Sequence, residues 1–189
     1  MSDSNTITVY QAFNRQIAHS AVNKQTFVSP PFKKDRMTWI KPSFLWMMYR
    51  SGWAVKENQE HILSIKIKRA GFEWALENSC LSHFDNTIHS SYDNWKETLD
   101  RSPVRIQWDP EKDILLRPLN YRSIQIGLSG ITVEKYIDEW IVGIDDITEY
   151  CKQIHQLVKE NKLNEAKDLL PNEQPYSLPE NIASKINSD

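Results

Sequence analysis

Glycine is scarce in this chain, with five residues in 189. A Walker-type phosphate loop or a G-x-G-x-x-G turn needs glycines close together, where backbone must approach an anion without a Cβ. Neither pattern occurs, so a glycine-rich cradle is excluded. Cysteine is scarcer still: Cys80 and Cys151 stand far apart, which argues against a disulfide framework and predicts two reduced, buried thiols. No apolar run approaches the roughly twenty residues of a membrane span. The opening residues, with Asp3 among them, lack the basic start and apolar stretch of a secretion signal, so the expectation is a cytoplasmic protein with no membrane partner.

Standard catalytic signatures are missing as well. There is no G-x-S-x-G elbow. Cys80-Leu81-Ser82-His83, followed by His89, has a clip-like spacing but no second clip, and the five histidines are scattered, so no metal is expected.

What the chain does have is a dense aromatic and cationic block. Between Asp35 and Trp53 lie Trp39, Phe44, Trp46, Tyr49 and Trp53, interleaved with Arg36, Lys41 and Arg50. Aromatic faces stack on planar rings and guanidinium or ammonium groups pair with phosphate, so the mixture suits an anionic, ring-bearing ligand such as a nucleotide. A Trp-rich core with a cationic rim reads the same way. Charge is divided along the chain in the same sense. Residues 1–70 carry eleven Lys or Arg against four Asp or Glu, net +7, while 71–189 carry twelve against twenty-one, net −9, which together give −2. A positive first half attracts a nucleotide, nucleic acid or acidic peptide; an acidic second half argues against nonspecific coating of DNA.

Hydrophobic periodicity predicts an α/β chain of the α+β type: a single globular domain over 1–170, with a central, mostly antiparallel sheet, packed helices and a C-terminal helical layer. Thr6 to Phe13 alternates as a strand, with Ile7, Val9, Gln11 and Phe13 on one face and Thr8, Tyr10 and Ala12 on the other. Asn14 caps a short amphipathic helix running to about Gln25, and Ser29 to Lys34 is an extended basic loop. Pro42 opens a helix that runs to Ser51, apolar nearly all round and closed by Gly52, with Trp46, Arg50 and Trp53 on one face. Strands follow at His61 to Arg69, Val104 to Trp108 and Ile124 to Leu128, with a turn at Asp109 to Asp113. From Thr132 onward the period is helical, and residues 171–189 form an extended tail along the surface.

Arg36 to Trp53 (RMTWIKPSFLWMMYRSGW), Val104 to Glu111 (VRIQWDPE) and Arg122 to Leu128 (RSIQIGL) resemble the signature segments of an uncharacterised family, domain of unknown function 4291, over essentially the whole chain. That family brings no established activity. The order of elements also resembles, loosely, the ADP-ribosyltransferase-like fold, which holds a nicotinamide dinucleotide with side chains instead of a glycine loop. That resemblance implies NAD as the cofactor. Tyr10 and Gln11 would then sit on the first strand and Ser43 to Arg50 on the neighbouring segment, while Gln125 or Glu111 would stabilise an oxocarbenium-like state. Many such enzymes carry a glutamate on a late strand, where this chain has Gln125.

The expected ligand-binding set is therefore Tyr10, Gln11, Arg36, Trp39, Lys41, Ser43, Trp46, Tyr49 and Arg50, with Gln125 and Glu111 as catalytic candidates. The competing class is a non-catalytic module. It would stack bases of single-stranded nucleic acid, with Lys33, Lys34, Lys66, Lys68 and Arg69 following the backbone, or it would bind another protein.

Overall fold

The computed structural model describes residues 5–188; the first four residues of the expected 1–170 domain, and Asp189 of the expected tail, lie outside them. The chain folds as a single α+β domain, but its strands divide between two sheets. The first sheet has the order β1 (Thr6–Phe13), β3 (His61–Lys68), β7 (Ile141–Asp146), all antiparallel. The second has the order β2 (Thr38–Ile40), β6 (Pro118–Leu128), β5 (Val104–Lys112), β4 (Ser79–Leu81), with only β4 and β5 parallel. They meet at one bridge: Tyr10 N donates to Lys41 O at 2.8 Å and Lys41 N returns a bond to Tyr10 O at 3.3 Å.

The period-2 alternation of β1 explains why the first sheet is buried on both sides. Ile7 and Val9 enter one hydrophobic cluster, with Leu63, Ile65 and Ile67 of β3 beside them. Tyr10, on the opposite face, enters a second cluster with Phe44, Met48 and Ile62. Helix α1 (Arg15–Lys24) is capped by Asn14, whose side chain accepts from Ile17 N, and buries Ala18 and Ala21 in the first cluster. Helix α2 (Phe44–Ser51) lies against the second. Ser43 accepts from Trp46 N at its start, and Gly52, at φ +60°, ends it in the left-handed region that glycine enters at least cost.

Four expectations need correction. Trp53 does not continue the α2 face of Trp46 and Arg50, because Gly52, Trp53 and Ala54 all have positive φ and turn the indole into the second cluster. Asp109 to Lys112 is strand, not turn: β5 runs through Pro110, whose missing N–H is tolerated next to an irregularity in the pairing with β6. The reversal falls after it, where Asp113 Oδ1 accepts from Leu115 N and Arg117 N.

The helical stripe expected from Thr132 is interrupted. Beyond helices α3 (Arg69–Glu77) and α4 (Tyr92–Arg101), helix α5 (Ile131–Lys135) passes into a π-helical turn (Tyr136–Trp140), then β7 pairs with β3, and helix α6 (Thr148–Lys159), followed by the short α7 (Leu163–Asp168), resumes the stripe with Cys151 and Ile154. Finally, the tail is no surface arm. Residues 171–179 lack regular structure, but helix α8 (Glu180–Ile186) drives Ile182 and Ile186, one turn apart, into the main core. Trp108 Nε1 donates to Ile186 O at 2.6 Å and Tyr176 Oη to Glu73 at 2.6 Å, so the last segment is a part of the domain.

Among the described residues no helix is long and apolar enough to cross a membrane. Both cysteines are free and buried, and burial pushes the Cys151 thiol up to about 12, which keeps it protonated and unreactive.

Candidate functional site

A half-open cleft of about 190 Å³ lies where the two sheets meet. Gln11 to Phe13 of β1 form one side, Trp39 and Lys41 a second, Trp46, Met47 and Arg50 of α2 a third, and Gln59 and Gln125 complete it. The bridge between Tyr10 and Lys41 brings the first two sides together, and the α2 period of four brings Trp46 and Arg50 onto one face.

Gln11 is held rigidly. Its Nε2 donates to Thr38 Oγ1 at 2.8 Å and Trp39 O at 2.9 Å, while its Oε1 accepts from Tyr136 Oη at 2.8 Å. Because Gln11 is 3% exposed and Tyr136 fully enclosed, this network fixes the amide orientation as well as the junction of the sheets.

Lys41 is the unusual group. It is 1% exposed, stacks its ammonium 4.2 Å from the Trp46 ring centroid, and donates to Asp109 Oδ2 at 3.1 Å and Ser123 O at 3.0 Å. Asp109 in turn accepts from Gln107 Nε2 at 2.9 Å. Burial pulls the Lys41 pKa down to about 8, with Asp109 acting in the opposite direction. A cation kept in so dry a place, with one carboxylate partner and an aromatic face, adds positive field to the floor of the cleft, and Arg50 adds more at its rim.

The opposite wall depends on a missing side chain. A Cβ on Gly127 would lie 2.7 Å from Met37 Sδ and 2.9 Å from two carbons of the Trp39 indole, which therefore lies directly over β6. Gly127→Ala is expected to cost about 1–3 kcal/mol through overpacking and to push Trp39 out of the cleft wall. A shift in tryptophan emission with retained far-UV circular dichroism checks this, and an unchanged spectrum would mean that Trp39 does not rest on Gly127.

Of the residues expected from sequence, Gln11, Trp39, Lys41, Trp46, Arg50 and Gln125 line this cleft together. Tyr10, Arg36, Ser43, Tyr49 and Glu111 do not. Tyr10 points to the other face of β1, edge-on to Phe44 at 5.7 Å. Arg36 is exposed in the segment before β2, outside the cleft. Ser43 is spent on capping α2 and on Glu111, to which its Oγ donates at 2.8 Å; that bond, with one from Lys112 N at 2.7 Å, holds the Glu111 carboxylate. Tyr49 is 47% exposed and carries Lys112 over its ring at 3.9 Å.

Sequence reading missed Gln59, in the loop before β3, for which no local pattern gives a signal, and Tyr136, whose hydroxyl works only through Gln11. Asp109 pairs with Lys41.

The fold and cleft define a small α+β domain with a side-chain-built polar site between two sheets. The family model described as Domain of unknown function (DUF4291) matches residues 1–176, and the chain belongs to that family. The search of the curated proteins found no match.

Proposed function

We propose that the chain binds a nucleotide in this cleft and that NAD is the ligand, in an enzyme of the ADP-ribosyltransferase-like type. The observation that carries the reading is the convergence of two indoles, Trp39 and Trp46, with two cations, Lys41 and Arg50, and three amides, Gln11, Gln59 and Gln125, around one opening. Phosphate is the partner that suits the cations, and a planar base or nicotinamide suits the indoles. The Gln59 and Gln125 amides supply donors and acceptors for the edge of the ring, while Gln11, whose two Nε2 hydrogens are already donated to Thr38 and Trp39, braces the wall.

Size limits how much of the ligand enters. Sites for drug-sized ligands enclose about 300–1,000 Å³, so 190 Å³ accommodates a ring with its ribose and leaves the rest of a dinucleotide in the open mouth. Nicotinamide mononucleotide and AMP are accordingly expected to bind within about tenfold of NAD, a spread of roughly 1.4 kcal/mol.

In a transfer reaction the bond from nicotinamide to ribose C1′ breaks with its electron pair on the leaving nicotinamide, and an acceptor nucleophile bonds to C1′ as it loses its proton. Gln125 is the residue of the expected catalytic pair that faces the cleft. Its amide oxygen is the group suited to the developing positive charge, more weakly than a carboxylate would be.

Thermal-shift titration with NAD, AMP and a short RNA tests the binding, since a ligand that binds only the folded state raises the midpoint. NAD and AMP are expected to raise it, Arg50→Ala to weaken that effect, and Gln125→Ala to slow release of free nicotinamide from labelled NAD without unfolding the domain. A rise with RNA alone that falls steeply with salt would favour the nucleic-acid module instead.

A further inference from the structure

Outside the residues that line the cleft, three elements bring metal-ligating side chains to one point. His19 of α1, His61 of β3 and Asp146 of β7 each offer a ligand atom, and these atoms all lie within 4.8 Å of one another. The geometry points to a binding site for a divalent transition-metal ion, with zinc as the fitting member, held by the two imidazoles and the Asp146 carboxylate.

Nothing in the sequence marks this set, because 42 residues separate the histidines and 85 separate His61 from Asp146. The fold makes the juxtaposition. β3 is the central strand of its sheet, β7 is its edge partner, and α1 packs across both, its Gln25 cap exchanging bonds with Ile144 N and O at 2.9 Å each.

The ligand atoms are already close to coordination spacing. His61 Nδ1 and Asp146 Oδ2 stand 2.8 Å apart. Two ligands on a tetrahedral ion, with bonds of about 2.0–2.1 Å, stand a little over about 3 Å apart, so a small opening admits the ion. His19 is exposed in the middle of α1, edge-on to His61 with ring centroids 5.2 Å apart, so its side chain has solvent-side room to turn toward an ion.

The carboxylate is also oriented in the manner of a ligand. Asp146 Oδ1 accepts from Thr148 N at 2.9 Å and from Thr148 Oγ1 at 2.5 Å, which leaves Oδ2 turned toward the histidines. Outer hydrogen bonds of this kind fix ligating carboxylates in metal sites. Two neutral nitrogens and one carboxylate oxygen suit zinc and its neighbours, not the hard calcium or magnesium ions that take oxygen ligands throughout. With three protein ligands, the fourth position is left to water or a small ligand. The bound ion would tie α1 and the edge strand β7 to β3.

The test uses the full chain, dialysed against a chelator and then free of it. Zinc chloride is expected to bind with one ion per chain by calorimetry and to raise the melting midpoint; cobalt chloride should give visible bands of a tetrahedral site. His19→Ala is the informative variant, since this exposed side chain makes no hydrogen bond among the described residues and touches His61 edge-on only. It is expected to fold normally and lose metal affinity by more than about tenfold, the scale on which even a supporting residue acts. His61→Ala should lose it too. Calcium should produce none of these effects. Absence of a zinc-dependent rise, or uptake by both histidine variants as tight as in the parent chain, overturns the assignment and leaves His61 and Asp146 as a hydrogen-bonded pair only.

Discussion

Truncating Phe44 to alanine is expected to cost about 3–5 kcal/mol of stability, the range for a large aromatic removed from a packed interior. Phe44 is 1% exposed and opens α2, and its ring is met by three others: Tyr10 at 5.7 Å, Trp53 at 6.4 Å and Tyr150 at 6.0 Å. Those rings come from β1, the loop after α2, and α6, so the space left by the phenyl group cannot close without moving three elements. The tail adds a further anchor, since Glu173 Oε1 accepts from Phe44 N at 2.8 Å. Urea unfolding followed by circular dichroism measures the loss. A value below about 1 kcal/mol would place Phe44 at a surface and undo the description of α2 as a buried helix.

The second large effect is a pH dependence carried by Lys41. Burial lowers its folded-state pKa to about 8 from an unfolded value near 10.5, so between these values the unfolded chain binds more protons than the native one. Stability therefore rises with pH across that window as the native state is relieved of a buried charge. Relative to Lys41→Met, which has nothing to titrate there, the wild type should gain about 2 kcal/mol between about pH 8 and pH 10. Tyrosine ionisation in the unfolded chain lowers stability at the alkaline end, but equally in both proteins, so the difference isolates Lys41. Parallel stability curves would mean that Lys41 titrates normally. Lys41→Met should also lower affinity for any phosphate-bearing ligand at neutral pH, where the wild-type ammonium is charged.

The same residue shows where sequence reading stopped. Lys41 stood out as a cation among aromatics, which is a matter of composition. That it is nearly inaccessible, lies over Trp46 and pairs with Asp109 follows from the approach of β2 to β6, and no local pattern encodes that pairing across 68 residues. Arg36 is the converse case. Its place in the aromatic block suggested a pocket wall, but the segment before β2 leaves it exposed while Trp39, three residues on, turns inward over Gly127.

The sequence by itself determined the elements whose periodicity is strong and local. β1, α1 with its Asn14 cap, α2 ending at Gly52, β3 and the start of β5 are all legible, because alternation, capping and positive-φ preference act over a few residues. It also placed six of the cleft residues, since a cluster of aromatics and cations on a short segment remains a cluster after folding.

Only the tertiary structure decided the rest. β7 has helical-looking spacing and is a strand because the edge of β3 offers it hydrogen bonds. Residues 180–186 reach the core because Ile182 and Ile186 find an apolar face to cover. Alternation puts Tyr10 and Gln11 on opposite faces of β1, but that one face meets the second core and the other the cleft depends on what packs against each. His19, His61 and Asp146 meet through the packing of α1 on two strands. These are outcomes of non-local pairing and burial, where the energy of a contact depends on which distant residue arrives to share it.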